Sequence, residues 1–327
     1  MLGLPAHLRE RRELAPLLYG KLAAHDRLDA LSPEARTIGK RAYLGSLARN
    51  LRILGRAQEI LDGAEAAGLP ILPYKGVLFA EALYGDPALR PMVDLDLLVR
   101  PADVDRAGTL MRALGFRRTF ADQPRFSPHH AHDVSFTDEH DADLVVEVHY
   151  RLYHELGADA TVEPLFERAT STILFGRPRR VPAWDDHLLA VAVHAATHAF
   201  GDQPMWPFDV ALLLARSGGF ERALDEAGRR RAGAPFRAAL RLAARLLPSL
   251  VAAPPARPGD RVRDLLLAQI LGPDPLAAPP ERVRSLLARA VLTERPRDAA
   301  REVVRKAGLR AEEAAAWLRG RAAPRPE

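Results

Sequence analysis

The chain has 327 residues, enough for one large domain or two smaller ones, each with its own apolar core. Its composition, 48% hydrophobic and 27% charged, is ordinary for a globular protein. The absence of cysteine excludes disulfides, zinc–thiolate sites and thiol nucleophiles. The net charge of +5 would suit a nucleic-acid-binding protein, but the arginines are dispersed among acids and are not interleaved with aromatics. Nucleic acid is therefore not the expected partner.

Residues 1–68 are predicted to be helical. Leucines recur at helical spacing between Leu14 and Leu22, and a second amphipathic stretch covers residues 42–67. The N-terminus carries charges and no long apolar run, and no apolar stretch reaches the length of a membrane span. We therefore expect a cytoplasmic protein with no membrane partner.

A compact α/β unit is predicted over residues 69–160, followed by a helical domain over residues 161–327. The unit is expected to contain, in order, an extended segment at 69–74, a helix at 77–84, a strand at 93–100, a helix at 101–114, a strand at 116–120, and a hairpin of strands 133–137 and 144–150. In the third segment the sequence predicts helices throughout, apart from a short extended piece at 180–183, with a last helix at 298–319.

Three acidic residues in apolar strands are the strongest chemical signal. Asp94 and Asp96 are two apart in Asp-Leu-Asp-Leu-Leu-Val, so their carboxylates share one face of the strand. Glu147 is a third acid, in Val-Val-Glu-Val-His. Buried like charges repel and lose hydration, and a hard divalent cation such as Mg²⁺ relieves both effects. The alternative is a solvated strand edge, which Leu-rich surroundings disfavour for the aspartates more clearly than for Glu147.

Two cations precede the acidic strand. Lys75, one of only four lysines, lies in an apolar context before Gly76, where it could contact a phosphate or simply extend its ammonium to solvent. Gly76 opens a predicted helix whose free N–H groups favour an anion. Arg90 could bind a substrate phosphate or form a salt bridge to Asp86.

Histidines offer a further candidate chemistry. The side chains of His129, His130, His132 and His149 could form a transition-metal site, and His149 shares a strand face with Glu147. It is therefore a candidate for binding substrate or supporting the acids. A pair at helical spacing, His194 and His198, lacks the glutamate of a zinc-protease motif, so we interpret it as packing or interdomain polar residues.

Several short motifs occur in an ordered set. They are Leu72-Pro73-Tyr74-Lys75-Gly76, Leu83-Tyr84-Gly85-Asp86-Pro87, Arg90-Pro91-Met92, Asp94-Leu95-Asp96-Leu97-Leu98-Val99, Leu114-Gly115-Phe116, Glu147-Val148-His149-Tyr150 and the segment from Asp185 to Val210. Together they resemble the bacterial uncharacterised nucleotidyltransferase family of the DNA-polymerase-β-like superfamily, over roughly residues 70–215. The resemblance implies an α+β fold with a small mixed β-sheet flanked by helices.

The same resemblance implies roles for individual residues. It assigns metal binding and catalysis to Asp94 and Asp96, with Glu147 as the third acid. The wider superfamily holds the nucleotide triphosphate on a Gly-Ser turn, whereas here Gly76 is followed by Val77. Lys75 and Gly76, with Arg90 and His149 nearby, are the candidates for the nucleotide contact.

Our leading hypothesis is a Mg²⁺-dependent enzyme, with Mn²⁺ as an alternative ion. It would move a nucleoside monophosphate from an NTP, ATP being the expected one, to a hydroxyl or phosphate of a small-molecule, peptide or protein acceptor. A non-catalytic regulatory or scaffold protein with a decayed nucleotide site is the rival from another class. A tRNA-directed nucleotidyltransferase is the third hypothesis, and it would require a continuous basic face.

Overall fold

The computed structural model describes residues 12–119, 132–153, 157–201, 204–272, 274, 276 and 282–295. The α-helices are α1 Ala15–Ala24, α2 Pro33–Ala66, α3 Gly76–Ala82, α4 Val104–Ala113, α5 Glu163–Glu167, α6 Trp184–Thr197, α7 Trp206–Ser217, α8 Glu221–Arg229, α9 Gly233–Leu246, α10 Asp260–Leu271 and α11 Arg282–Leu292. The strands are β1 Leu72–Pro73, β2 Asp94–Leu98, β3 Phe116–Arg118, β4 Asp133–Asp138, β5 Val145–His149, β6 Thr170–Leu174 and β7 Arg177–Val181. Short 3₁₀ turns occur at Arg12–Leu14, Leu28–Ala30, Pro87–Leu89 and Pro101–Asp103.

Five strands form a mixed sheet in the order β1-β2-β5-β4-β3. The central pair, β2 and β5, is parallel, and the other pairings are antiparallel. Apolar side chains of β2, Leu95 and Leu97, are fully buried on one face, and the acids alternate with them onto the other face. The predicted α+β class with a small mixed sheet is confirmed, and so is the hairpin of β4 and β5.

The long helix α2 explains the helical pattern near the N-terminus. Ser32 caps it by accepting a hydrogen bond from the Ala35 N–H at 3.2 Å, and Pro33 occupies the first turn. The helix begins nine residues before the predicted start at residue 42, because the cap and the proline outweigh the polar composition of its first turns. Its apolar stripe, including Ile53 and Ile60, packs in the core.

One prediction for the C-terminal half is wrong. Residues 170–181 are not helical but form a second, two-stranded sheet of β6 and β7. The turn between them is Phe175-Gly176, and both residues have positive φ (55° and 73°), which is the backbone that a tight hairpin requires. Arg177 and Arg179 of β7 pair with Asp62 of α2, so the hairpin is held to the N-terminal helix.

One buried apolar cluster extends from Leu14 through the sheet to Leu292, so residues of all three predicted segments contribute to it. The division at residues 68 and 160 stays a prediction. The predicted helix at 298–319 lies outside the described residues, as do His129 and His130. Within the described ranges, no helix has the length and apolar character needed to cross a membrane.

Candidate active site

The acids of the sequence motif lie on one face of the main sheet. Asp96 of β2 is in register with Glu147 of β5, and Asp133 of β4 is in register with His149. Alternation along the strands then puts Asp94 on the face of Asp96, and His149 on the face of Glu147. All five side chains line one cavity of about 550 Å³.

Asp96 is the electrostatic centre of this face. Its Oδ1 lies 2.6 Å from His149 Nε2 and 3.5 Å from Lys75 Nζ. Burial would raise the pKa of Asp96, but the charges of Lys75 and His149 hold it well below its usual range. Burial would likewise lower the pKa of His149, but its hydrogen bonds to Asp96 and Glu147 raise that pKa to about 9. Asp96 is therefore a stable, compensated anion.

Asp94 has the opposite environment. Burial is the largest influence and, with the negative charges of Asp96 and Glu147, raises the pKa of Asp94 to about 7. Lys75 and His149 act in the other direction but do not outweigh these effects. A half-buried carboxylate of this kind favours a bound cation, since a cation removes the repulsion between the acids.

Oxygen and nitrogen ligands for a cation are close together in this cavity. One potential ligand atom from each of Asp96, Glu147 and His149 falls within 4.8 Å of the other two. Asp94 is not part of that close group, although it lines the same cavity. Carboxylate oxygens are the preferred ligands of Mg²⁺ and Mn²⁺, so the carboxylates of this cavity fit such an ion.

Lys75 enters the cavity from a strained backbone. Its φ of 47° and ψ of −118° are rare for any residue with a side chain, and it immediately precedes the first residue of α3. Such conformations are retained where surrounding structure fixes them, often at functional sites. Tyr74, whose N–H bonds to the Asp96 carbonyl at 3.1 Å, fixes the chain on one side, and the Phe79 N–H bonds to the Lys75 carbonyl on the other.

Gly76, the next residue, is buried, and its Cα faces two side chains. A Cβ on Gly76 would lie 3.1 Å from both Arg90 Nη1 and Met92 Sδ. The glycine therefore makes room for the guanidinium of Arg90 beside the cavity. Gly76 is also the first residue of helix α3, which has only seven residues.

Arg90 pairs with Asp209 of α7, and not with Asp86. Its Nε and Nη2 each lie 2.9 Å from an Asp209 carboxylate oxygen, and the Tyr84 hydroxyl donates to the same carboxylate at 2.8 Å. Asp86 instead accepts hydrogen bonds from Tyr43 and from the Ala88 N–H. The guanidinium nevertheless lines the cavity, so the pairing fixes its position there.

Helices α6 and α7 supply the opposite wall of the cavity. This wall includes Val191, His194, His198, Met205 and Trp206. The rings of His194 and His198 lie 4.5 Å apart, and burial together with the charge of Lys75 lowers the pKa of His194 well below its ordinary value. From the sequence, the i, i+4 spacing of His194 and His198 indicated packing or interdomain polar residues. Asp133 was not selected from the sequence, and its place at the start of β4 was the available signal.

A mixed sheet with paired aspartates on one strand and a third acid on its parallel neighbour is the arrangement that the motifs predict for a nucleotidyltransferase. The chain belongs to the uncharacterised nucleotidyltransferase family, whose sequence profile matches residues 6–248. The resemblance inferred from the motifs is thereby confirmed, and with it the general class of enzyme.

Solved structures provide two more distant similarities. One is the solution structure of the antibiotic-resistance factor ANT(2'')-Ia, with 18% identity over 55% of this chain and 92% of that chain, and a TM-score of 0.42. The other is the crystal structure of ANT(2'')-Ia in complex with adenylyl-2''-tobramycin, with 17% identity over 54% and 95% of the two chains, and a TM-score of 0.40. No curated protein matches the sequence significantly.

Proposed function

We propose that this protein transfers a nucleoside monophosphate from an NTP, with ATP as the expected donor, to a hydroxyl or phosphate of a small-molecule, peptide or protein acceptor. The observation that carries the proposal is the grouping of Asp94, Asp96 and Glu147 in one cavity, where burial and mutual repulsion raise the pKa of Asp94 to about 7. These three residues would hold Mg²⁺ or Mn²⁺, which when bound neutralises charge on the phosphates.

Other side chains of the cavity would contact the phosphates of the donor and orient the carboxylates. The Lys75 ammonium, 3.5 Å from Asp96, is close enough to the acids to contact a phosphate oxygen of the donor. Gly76 leaves space beside it for the guanidinium of Arg90, which lines the cavity while it is paired with Asp209. His149 Nε2 contacts the carboxylates of both Asp96 and Glu147 and thereby orients them.

Glu147 is the candidate base toward the acceptor. Its side chain is 32% exposed, against 7% for Asp96, so an acceptor in the cavity can reach it. In the transfer, Glu147 takes the proton of the acceptor hydroxyl while the new P–O bond forms, and the bond to the leaving pyrophosphate breaks. The wall of α6 and α7 would bind the body of the acceptor.

Nucleic acid is a poor candidate for the acceptor, because arginines of the densest basic stretch are paired with an acid of the same helix. Arg229 and Arg230 both pair with Glu226, and Arg230 is buried. A polyanion would require clustered cations that are open to solvent. A small molecule or a peptide is therefore preferred to tRNA.

The test is a thermal shift with Mg²⁺ and ATP, because a ligand that binds the native state alone raises the melting temperature. We expect a shift for the wild type and a smaller one for Lys75→Ala. Lys40→Ala, which removes an exposed lysine of α2, is the matched control and should shift as the wild type does. Release of pyrophosphate in the presence of candidate acceptors then tests transfer. No shift with any of the four NTPs at millimolar concentration would favour a non-catalytic protein with a decayed site.

A further inference from the structure

A second group of potential metal ligands lies beside the acids. Potential ligand atoms of His132, Asp133 and His149 are all within 4.8 Å of one another. Asp133 and His149 are register partners on adjacent strands, and His132 immediately precedes β4, so the sheet itself brings them together. All three line the 550 Å³ cavity.

His149 is shared by both groups, and its two nitrogens have different surroundings. Nε2 lies 2.6 Å from Asp96 Oδ1 and 3.4 Å from Glu147 Oε2, whereas Nδ1 is buried and has no hydrogen-bond partner within the described ranges. The side chain is only about 1% exposed. An unpaired buried polar atom is costly, and in a native structure it calls for a ligand or another explanation.

The hydrogen bond to Asp96 decides which nitrogen can bind a metal. Because the carboxylate accepts from Nε2–H, the lone pair of the neutral imidazole is on Nδ1. A histidine that donates one ring N–H to a carboxylate while the other nitrogen binds a metal is a recurrent arrangement in metalloproteins. Asp96 would thus belong to the magnesium site and at the same time orient a ligand of the second site.

Asp133 is suitably arranged as the oxygen ligand. Its Oδ2 accepts a hydrogen bond from Ser135 Oγ at 3.1 Å, and its Oδ1 lies 3.3 Å from His132 Nδ1. The serine therefore holds the carboxylate with Oδ1 toward the imidazoles. Burial is the largest influence on Asp133 and raises the pKa of its carboxyl, although the charge of His149 acts in the other direction.

We propose that His132, Asp133 and His149 form a site for a divalent transition-metal ion, with Zn²⁺ as the best-fitting ion, distinct from the carboxylate site for Mg²⁺. Two imidazole nitrogens and one carboxylate oxygen favour Zn²⁺, Co²⁺ or Ni²⁺ over Mg²⁺. Three protein ligands leave at least one coordination position open, and all three residues line the cavity. The ion would bind the lone pair of His149 Nδ1, while Nε2–H continues to donate to Asp96.

Calorimetric titration of the full-length, chelator-treated protein with ZnCl₂ tests the site. We expect one equivalent to bind, and we expect His132→Ala and Asp133→Asn each to weaken that binding by roughly tenfold or more. Two variants should bind Zn²⁺ as the wild type does: Asp94→Asn, which alters the acid group alone, and His25→Gln, which removes an exposed histidine. Circular dichroism verifies that each variant is folded.

Cobalt gives an independent measurement, because Co²⁺ bound by imidazoles in a low-coordinate site absorbs strongly in the visible range. We expect that absorption in the wild type and its loss in His132→Ala. Zinc binding that survives in both His132→Ala and Asp133→Asn, or that is lost in Asp94→Asn, would overturn the proposal and assign the ion to the acids. The rise in melting temperature with Mg²⁺ and ATP is measured in His132→Ala as well. A variant that loses Zn²⁺ binding but keeps this rise tests the zinc site separately from the proposed transfer activity.

Discussion

Asp94 and Asp96 are two residues apart on one strand, yet their surroundings shift the pKa values of their carboxyls in opposite directions. From the sequence, both appear as repelling anions, and Asp96→Asn is expected to leave the stability unchanged or to improve it. The structure reverses this expectation for Asp96, whose carboxylate is paired with Lys75 and His149. The repelled anion is Asp94, since the pKa of its carboxyl is raised to about 7.

The two substitutions should therefore change the metal-free melting temperature in opposite directions. Asp94→Asn removes a repelled charge and should stabilise the protein by on the order of 1 kcal/mol at pH 8. Asp96→Asn leaves Lys75 and His149 without their anion and should destabilise it by a few kcal/mol, on the order of the cost of breaking a buried pair. Thermal melts in the presence of a chelator measure both. Changes in melting temperature of the same sign for both variants would contradict the assignment of Asp96 as the paired carboxylate and Asp94 as the repelled one.

His187 of α6 is a buried titratable residue outside the cavity. It is packed among the rings of Tyr74, Phe79 and Trp184, with centroid distances of 5.3 to 5.8 Å, and neither nitrogen has a hydrogen-bond partner in the described structure. Burial, with a smaller effect from the charge of Lys75, lowers its pKa from 6.5 to about 3. The residue is therefore neutral in the folded protein at moderately acidic pH.

This histidine should make the protein sensitive to acid. Between about pH 6.5 and 3 the unfolded chain binds a proton at residue 187 and the folded protein does not, so stability falls as the pH falls. The contribution is roughly 1.4 kcal/mol per pH unit for one proton. Urea denaturation at pH 7.5 and pH 5 should show a smaller loss for His187→Phe than for the wild type. Replacing the exposed His25 by Gln should not reduce the loss, and an identical loss in His187→Phe would contradict the expectation.

At the scale of elements, the start of α3 depends on a glycine for space. Gly76→Ala would put a methyl group against Arg90 Nη1 and Met92 Sδ, and neither neighbour can move easily. Arg90 is held by Asp209, and Met92 is buried. We expect a loss of about 1 kcal/mol in the free energy of unfolding.

Helix α2 offers a matched glycine with open space. Gly55 is exposed in the middle of that helix, and no atom lies within 4 Å of the position that a Cβ would take. Gly55→Ala should therefore stabilise the protein by about 0.5–1 kcal/mol. Chemical denaturation measures the free energy of unfolding of both variants. A stabilising effect of Gly76→Ala would contradict the expectation and show that Arg90 and Met92 can shift to admit the methyl group.

The hairpin of β6 and β7 shows why some elements escape sequence analysis. Its strands are short, mostly exposed and without a clean alternation, so no apolar periodicity marks them. The turn Phe175-Gly176 and the β-branched residues before it were the local signals. The hairpin is fixed in place by contacts to α2, more than a hundred residues earlier in the chain.

At the scale of the whole molecule, a buried ion pair joins the sheet unit to the helices behind the cavity. Arg90 and Asp209 are 6% and 2% exposed and are connected by several hydrogen bonds. Arg90→Ala would leave Asp209 buried with only the Tyr84 hydroxyl as a partner. We expect a loss of about 3–5 kcal/mol in the free energy of unfolding.

An exposed pair serves as the control for that measurement. Arg52 and Asp141 lie 3.1 Å apart, but the arginine side chain is 58% exposed. Arg52→Ala should change the free energy of unfolding by about 1 kcal/mol or less, because water screens such pairs. Similar losses for Arg90→Ala and Arg52→Ala would show that the buried Arg90–Asp209 pair contributes no more to the free energy of unfolding than an exposed ion pair does.

The sequence by itself determined the strands of the main sheet, their faces and the acids that they carry. These features are local, because alternation along a strand decides which side chains share a face and because Pro, Gly and capping residues mark the ends of helices. Asp94, Asp96 and Glu147 could therefore be selected as candidates before any fold was known. The family motifs then indicated the class of enzyme.

Only the tertiary structure decided how these residues are partnered. Parallel pairing of β2 with β5 puts His149 against Asp96, 53 positions away, and packing of α7 puts Asp209 against Arg90, 119 positions away. These contacts depend on how the sheet and helices pack, which local patterns do not encode. They determine which carboxylate is compensated and which is repelled, because charge and burial depend on distance in space and not along the chain. The antiparallel pairing of β4 with β5 brings His132, Asp133 and His149 together.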